Sequence, residues 1–348
     1  ITAAKNDGVA LYKKVPDNLI VEPTDPVQAV LRMTFIDRNT PEIIWPYAKK
    51  EGGYSVQNKS TPFDPDRDWS WNGISPSIEM VKTFYSSNGL PIDEDPAYDY
   101  ANIEGTANHT GNIGNGEGTT LNLHLNREPR FYAWIAYHNS YYEIKRNGST
   151  NKYLVKFAFN DNCGKNGRSR NYSPTGYLNK KGVHPNYRQG SGGGGLVDYS
   201  WPMIRLSELY LNCAEALIEV GDADSISKAK GYIDEIRLRA GLTTLDEAWM
   251  GIATLYQSKL RKLVRQERSI ELYMENHRFW DVRRWLLGTK YFNARPMGMA
   301  VNEANEASFL KIVDIGAGFE RKFLSPQHYL MPIPIDDINR NPNIVQNR

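Results

Sequence analysis

The six histidines of this chain, at positions 109, 124, 138, 184, 277 and 328, are the side chains best suited to hold a catalytic metal, and their spacing argues against it. No His-x-x-x-His or His-x-x-Glu pair sets two ligands on one helix face, as zinc chemistry on a helix requires. A Gly-x-Ser-x-Gly nucleophile elbow is absent. The run GNIGNGEG at 111–118 has glycines enough for a phosphate cradle but lacks the apolar strand before it and the helix after it, so it reads as a loop tip. Cys163 and Cys213 are the only cysteines, too few for a disulfide scaffold or a Cys-rich zinc site.

Carboxylates offer a second chemistry. Asp64, Asp66 and Asp68 in DPDRDW alternate like the start of an EF-hand loop. Trp69 stands where the loop needs glycine and Ser75 where it needs a bidentate glutamate, which excludes an EF-hand. A looser calcium site is the one cofactor left open, and none is otherwise expected. The same acids could form a glycosidase pair, but nothing in the sequence sets the separation of about 5–10 Å that glycoside hydrolysis needs.

Aromatic residues carry more. Of 40 aromatics, 21 are Tyr and 8 are Trp, a bias toward rings with a polar tip, and 15 of the Tyr precede residue 200. Asparagine is concentrated there too. Two readings fit: loops that need turn residues and are roofed by Tyr, or a binding surface. Trp45, Tyr47 and Tyr54 lead into Trp69 and Trp71, then Tyr98 and Tyr100. Flanked by Asp, Pro, Asn and Gly, Trp69, Trp71, Tyr98 and Tyr100 are expected to be exposed, with Asp66, Arg67 and Asn102 as polar partners. Such a mix suits a saccharide, whose C–H faces stack on rings while its hydroxyls meet polar groups. Tyr132 and Trp134 are expected in the core.

The elements that must position these groups differ in texture before and after the glycine run at 191–195, either a linker or a surface loop. Upstream, elements are short; Val30 to Phe35 and Pro41 to Trp45 are apolar runs that suit strands or a helix end. Downstream, Leu206, Leu209, Tyr210, Cys213, Ala216, Leu217 and Val220 recur at helical spacing up to Gly221, which predicts a buried Cys213 thiol. Ile226, Ala229, Ile233, Ile236 and Ala240 repeat the pattern up to Gly241. The pair makes a helical hairpin near the length of a tetratricopeptide repeat, and it must stack on other elements. A third long helix is expected over 252–285. There Arg268 and Glu271, Glu275 and Arg278, and Asp281 and Arg284 lie three apart, as in a solvated face.

The 348 residues carry 42 Lys+Arg against 40 Asp+Glu, giving no electrostatic case for nucleic acid or an anionic membrane. No apolar run approaches the ~18 residues of a membrane span. The first residues show no basic segment, apolar core or cleavage site of a signal.

Several segments together resemble the SusD/RagB family of outer-membrane nutrient-binding lipoproteins. They are RLSELYLNCAEALIEVG at 205–221, the helix ending IRLRAG at 241, RQERSIELYMENHRFWDVRRW at 265–285 and LMPIPIDDINRNPNIVQN at 330–347. Weaker blocks upstream are SPSIEMVKTFYSSNG at 75–89, NREPRF at 126–131 and TGYLNKK at 175–181. The resemblance implies a mainly α fold, in which a tetratricopeptide-like helical scaffold packs against an irregular loop-rich half with few short strands. The expected division is a loop-rich ligand-binding part at 1–195 and a helical part at 196–348 within one integrated fold.

The family further implies no enzyme activity, but glycan binding at the cell surface of a Gram-negative bacterium and delivery to a SusC-like TonB-dependent transporter. Its outer-membrane attachment would be a lipid anchor outside this chain. Family members carry a lipidated cysteine and further helices before the point where this chain starts. The expectation is therefore a C-terminal portion of a longer precursor, with an apolar face uncovered where those helices belong. Peptide or protein-ligand capture is the alternative, and glycoside hydrolysis the remoter one.

Overall fold

The structure, a computed structural model, describes residues 1–47, 54–63, 70–109, 113–146, 149–189, 195–316, 318 and 320–347. In the first half the helices are short and locally specified. Asp25 caps α1 (Pro26–Met33), its carboxylate accepting from the Val27 and Gln28 N–H groups, with Pro26 in the first turn. Ser77 caps α2 (Ile78–Thr83), and Pro129 opens α3 (Pro129–Trp134). The described strands form six two-stranded pairs. In the pair that matters below, β1 (Ile43–Tyr47) runs antiparallel to β2 (Trp201–Arg205), with Ile43 opposite Arg205 and Tyr47 opposite Trp201. The apolar runs left open by the sequence are thus a helix end at Val30 to Met33 and a strand from Ile43.

The main core lies under α3. Phe84 meets Phe131, Trp134 and Tyr273 edge-on at 5.8, 6.4 and 6.0 Å. Tyr132 and Trp134 are buried, as expected. Ala240, Leu242, Ile270 and Phe309 join this same cluster, so the two halves share one core.

In the second half, α4 (Leu206–Val220) ends at Gly221 with φ +84, where a side chain would be strained, and Asp222 caps α5 (Ala223–Arg239). The hairpin is as the spacing predicts; its buried face is not. On α4 that face is Leu206, Ser207, Tyr210, Leu211, Ala214, Glu215 and Ile218, one residue round from the expected stripe, and Cys213 is only half-buried. The helix is apolar on most sides, so periodicity alone could not choose which side carries the partners of Ser207 and Glu215.

The single helix expected over 252–285 is two. Here α6 (Gln257–Glu271) and α7 (His277–Arg284) are separated by a break in which Met274 and Asn276 take φ +63 and +67. The break frees the Glu271 carbonyl, which accepts from Arg205 Nη2 at 2.8 Å and Lys181 Nζ at 2.6 Å. The solvated face is also corrected: Arg268, Glu271, Glu275 and Asp281 are all buried. Of the three expected pairs, Asp281 with Arg284 forms, at 2.7 Å; Arg268 turns instead to Asp281 at 3.1 Å.

Those charges belong to a buried network drawn from both halves. Arg205 Nη1 donates to Glu42 at 2.6 Å and Glu271 at 2.9 Å, and its Nε to Glu275 at 2.6 Å. Lys181 reaches Glu275 at 2.6 Å, and Arg239 pairs with Glu42 at 3.1 Å and with Glu271. Arg130 joins Glu128 at 2.6 Å, Glu267 and, at 3.3 Å, Glu271. Burial alone would lift the Glu271 carboxyl, but Arg239, Arg205 and Arg130 outweigh it and hold it well below the usual carboxylate range. Burial pushes Lys181 down to about 8, with Glu275 opposing.

The Tyr and Asn excess is largely structural. Tyr142 donates to the Ser60 and Asn179 carbonyls, Tyr199 to that of Gly182, and Tyr132 to those of Ile113 and His124, so each ring is core and each tip is satisfied. Asn18, Asn72, Asn126, Asn139, Asn166, Asn171 and Asn276 all take positive φ, the conformation asparagine tolerates best after glycine. The expected loop tip at 111–118 is corrected in its second part: Asn115 is buried and donates to Glu143 Oε1 at 3.1 Å, while Gly116 bridges to Ser140.

Apolar side chains stand exposed along α7 and the C-terminal segment, among them Trp280, Leu286, Leu330, Met331 and Ile335. Among the described residues no helix is long and apolar enough to cross a membrane.

Candidate binding cleft

The strand pair β1/β2 supplies a surface the sequence did not single out as a site. A cleft of about 480 Å³ opens against it, lined by Asp37, Arg38, Thr40, Ile43, Pro46, Asp198, Tyr199 and Ser200. Beside it Trp45 and Tyr47 project from β1, 64% and 44% exposed, an unusual position for large rings unless something covers them. Behind Tyr199 lies an apolar cluster: Phe35 meets Tyr199 and Trp201 edge-on at 6.2 and 5.7 Å, with Val30, Met33 and Ile36 around them.

The polar groups of the cleft are held in place. Asp37 accepts from the Tyr12 hydroxyl at 2.7 Å and from the Asn39 N–H at 2.9 Å. Arg38 Nε donates to the Asp198 carbonyl at 3.0 Å, which joins the two walls, and the Thr40 hydroxyl donates to the Thr34 carbonyl at 2.9 Å. At the base of β1 the buried Glu42 binds Arg205, the last residue of β2, and its other oxygen accepts from the Tyr12 N–H at 2.9 Å. Carboxylates, a guanidinium and hydroxyls line the cleft together with Ile43, Pro46 and Tyr199, and the exposed rings of Trp45 and Tyr47 adjoin Pro46 in the chain, a mix suited to a hydroxyl-bearing, partly apolar ligand.

The residues singled out by composition fare differently. Asp66, Arg67 and Trp69 lie outside the described residues, as do Asp64 and Asp68 and with them the calcium expectation. Among the described residues no group of three or more His, Cys, Asp or Glu could hold a metal ion. Trp71 is half-buried, with the Lys59 ammonium 5.6 Å from its ring centre. Tyr100 is exposed, and Asn102 is exposed in the same short helical turn, Tyr100–Asn102.

Tyr98, expected to be exposed, packs inward instead. Its hydroxyl donates to the Asn122 and Leu123 carbonyls at 3.2 Å each, Arg127 lies 6.0 Å from its ring centre, and the ring packs against the main core. Tyr98, Tyr100 and Asn102 share one segment. Trp45 and Tyr47 carried a usable signal: two aromatics flanking a proline in a short apolar run, which suits an exposed edge strand.

A helical scaffold sharing its core with an irregular half that carries the cleft makes a mixed helical fold with few short strands. The family model described as SusD family matches residues 41–348, and the chain belongs to the SusD family. SusD-like protein P2 of Formosa agariphila is 30% identical over 145 residues, 41% of this chain and 24% of that protein. The solved structure of BT4246 has a TM-score of 0.80 at 25% identity, over 99% of this chain and 60% of that one. A SusD-like protein from Bacteroides fragilis NCTC 9343 gives a TM-score of 0.69 at 26% identity, over 92% of this chain and 57% of that one. The chain thus spans about three-fifths of the length of these solved relatives.

Proposed function

We propose that this chain binds glycan at the surface of a Gram-negative cell without acting on it, and that the bound chain passes to a SusC-like TonB-dependent transporter. Membership of the SusD family supports the class, and the α4/α5 hairpin serves in this reading as one tetratricopeptide-like unit of the scaffold. The observation that carries the reading is the pair of exposed rings, Trp45 and Tyr47, beside a cleft whose polar groups are already oriented by Tyr12, Asn39 and the Asp198 carbonyl. Sugar faces stack on the rings, and hydroxyls meet Asp37, Arg38 and Ser200. Trp71, Tyr100 and Asn102 are outlying contacts for a longer chain, with Trp69, Asp66 and Arg67 beside Trp71 in sequence.

The test is affinity electrophoresis on gels containing polysaccharides, comparing the protein with Trp45→Ala and Tyr47→Ala. Both side chains are exposed, so folding should survive. Loss of retardation in both variants is expected. Retardation that is unchanged in the double variant would sink this site.

A further inference from the structure

We propose that the cleft takes an uncharged pyranose chain and discriminates against uronates and sulfated sugars. This rests on the reading of the cleft as a glycan site. Among the described lining residues there are two carboxylates, Asp37 and Asp198, and one cation, Arg38. The cation is partly committed, since its Nε is held by the Asp198 carbonyl at 3.0 Å.

The carboxylates are acceptors awaiting donors. Asp37 is fixed by the Tyr12 hydroxyl and the Asn39 N–H, which leaves further lone pairs on its oxygens. Asp198 is exposed, and no hydrogen bond or ion pair to its side chain is formed among the described residues. Hydroxyl groups supply O–H donors to both. A carboxylate or sulfate supplies none and brings its own negative charge. Tyr199, a lining residue buried against Phe35, keeps water from one side of the cleft, so that repulsion is screened less than on an open surface.

The experiment is a panel of soluble polysaccharides in affinity electrophoresis, with calorimetry on matched oligosaccharides: neutral glucans, mannans and xylans against a polyuronate and a sulfated galactan. Neutral chains should bind, and anionic ones should bind roughly 10-fold or more weakly at low salt. Asp198→Asn, which removes the charge at an exposed side chain and keeps an acceptor oxygen, should narrow that gap by strengthening the binding of the anionic chains. Preference for an anionic chain, unchanged in Asp198→Asn, overturns the proposed class and leaves glycan binding intact. Retardation by neither class overturns the glycan reading, and this one with it.

Discussion

Replacing Arg205 by methionine should cost this protein far more than removing any arginine from the outer face of α6. The Arg205 guanidinium makes five hydrogen bonds, to the Glu42, Glu271 and Glu275 carboxylates and the Glu271 carbonyl, at 2.6–2.9 Å. All four residues are buried. Methionine fills much of the same volume but leaves three carboxylates short of a partner in a place where water cannot replace it. Breaking a buried pair from one side typically costs about 3–5 kcal/mol, and here three acids lose the same partner, so the upper end is expected. Arg261→Ala is the control. Its pair with Glu219, at 2.6 Å, is solvent-facing and worth at most ~1 kcal/mol. Urea unfolding followed by far-UV circular dichroism measures both variants. Arg205→Lys should fall between them, since it keeps the charge but loses the planar fork. A loss under about 1 kcal/mol for Arg205→Met, or equal losses for the methionine variant and the α6 control, would refute the claim that these charges act as a buried clamp.

Acid should weaken the fold in two stages. Burial, with Arg32 adding to it, lowers the His184 pKa to about 4, so between about 6.5 and 4 the unfolded chain takes a proton the folded one refuses. That single group removes roughly 3 kcal/mol as pH falls through the window, and His124 and His138, lowered mainly by burial, add to it. Below about 4.5 the lowered carboxyls Glu271 and Glu275 contribute a further loss; stability measured by urea unfolding that is flat from pH 7 to 4 would contradict the histidine stage. Tyr98→Phe should cost about 1 kcal/mol through its two carbonyl partners and leave glycan retardation unchanged, the reverse of Trp45→Ala. Gly116→Ala should unfold the chain at markedly lower urea, because a Cβ there would sit 1.9 Å from the Asn139 carbonyl oxygen and 2.7 Å from the Ser140 Cα. With a thiol reagent at neutral pH, Cys213 should react first and Cys163 only on unfolding, since burial raises the Cys163 thiol to about 12.

The sequence was most readable where local chemistry decides structure. Gly221 and Gly241 ended helices as their positions implied, because left-handed corners want glycine. It was least readable where a distant partner decides. Nothing within 265–285 shows that Glu271 and Glu275 turn inward, because their partners Arg205, Lys181, Arg239 and Arg130 come from four other segments. The same ignorance rotated the α4 stripe and fused α6 with α7. The binding residues failed for another reason: loop composition cannot separate a ring that roofs the core, such as Tyr98, from one that faces solvent, such as Tyr100. Trp45 and Tyr47 were visible as aromatics but gained meaning only when β2, some 155 positions later, paired with their strand.

That pairing joins the clamp to the cleft. Ile43 lies opposite Arg205, and Glu42, one residue before, binds Arg205 and Arg239, so the ion cluster grips β1 and β2 at one end of their ladder. The ladder is short and irregular, with register shifts on both sides of Trp45, and two strands of five residues hold their register weakly by backbone bonds alone. A slip of one position would move Ile43 and Pro46 out of the cleft lining and re-aim the rings of Trp45 and Tyr47 beside it. The role proposed for the cluster is to fix one alignment of the ladder, at some cost in stability relative to a buried leucine pair. If that is its role, Arg205→Met should lose glycan retardation at urea concentrations where it is still folded, whereas a variant equally destabilised in the core under α3, such as Phe84→Leu, should keep it. Equal retention by both would reduce the cluster to a stabilising element with no part in shaping the site.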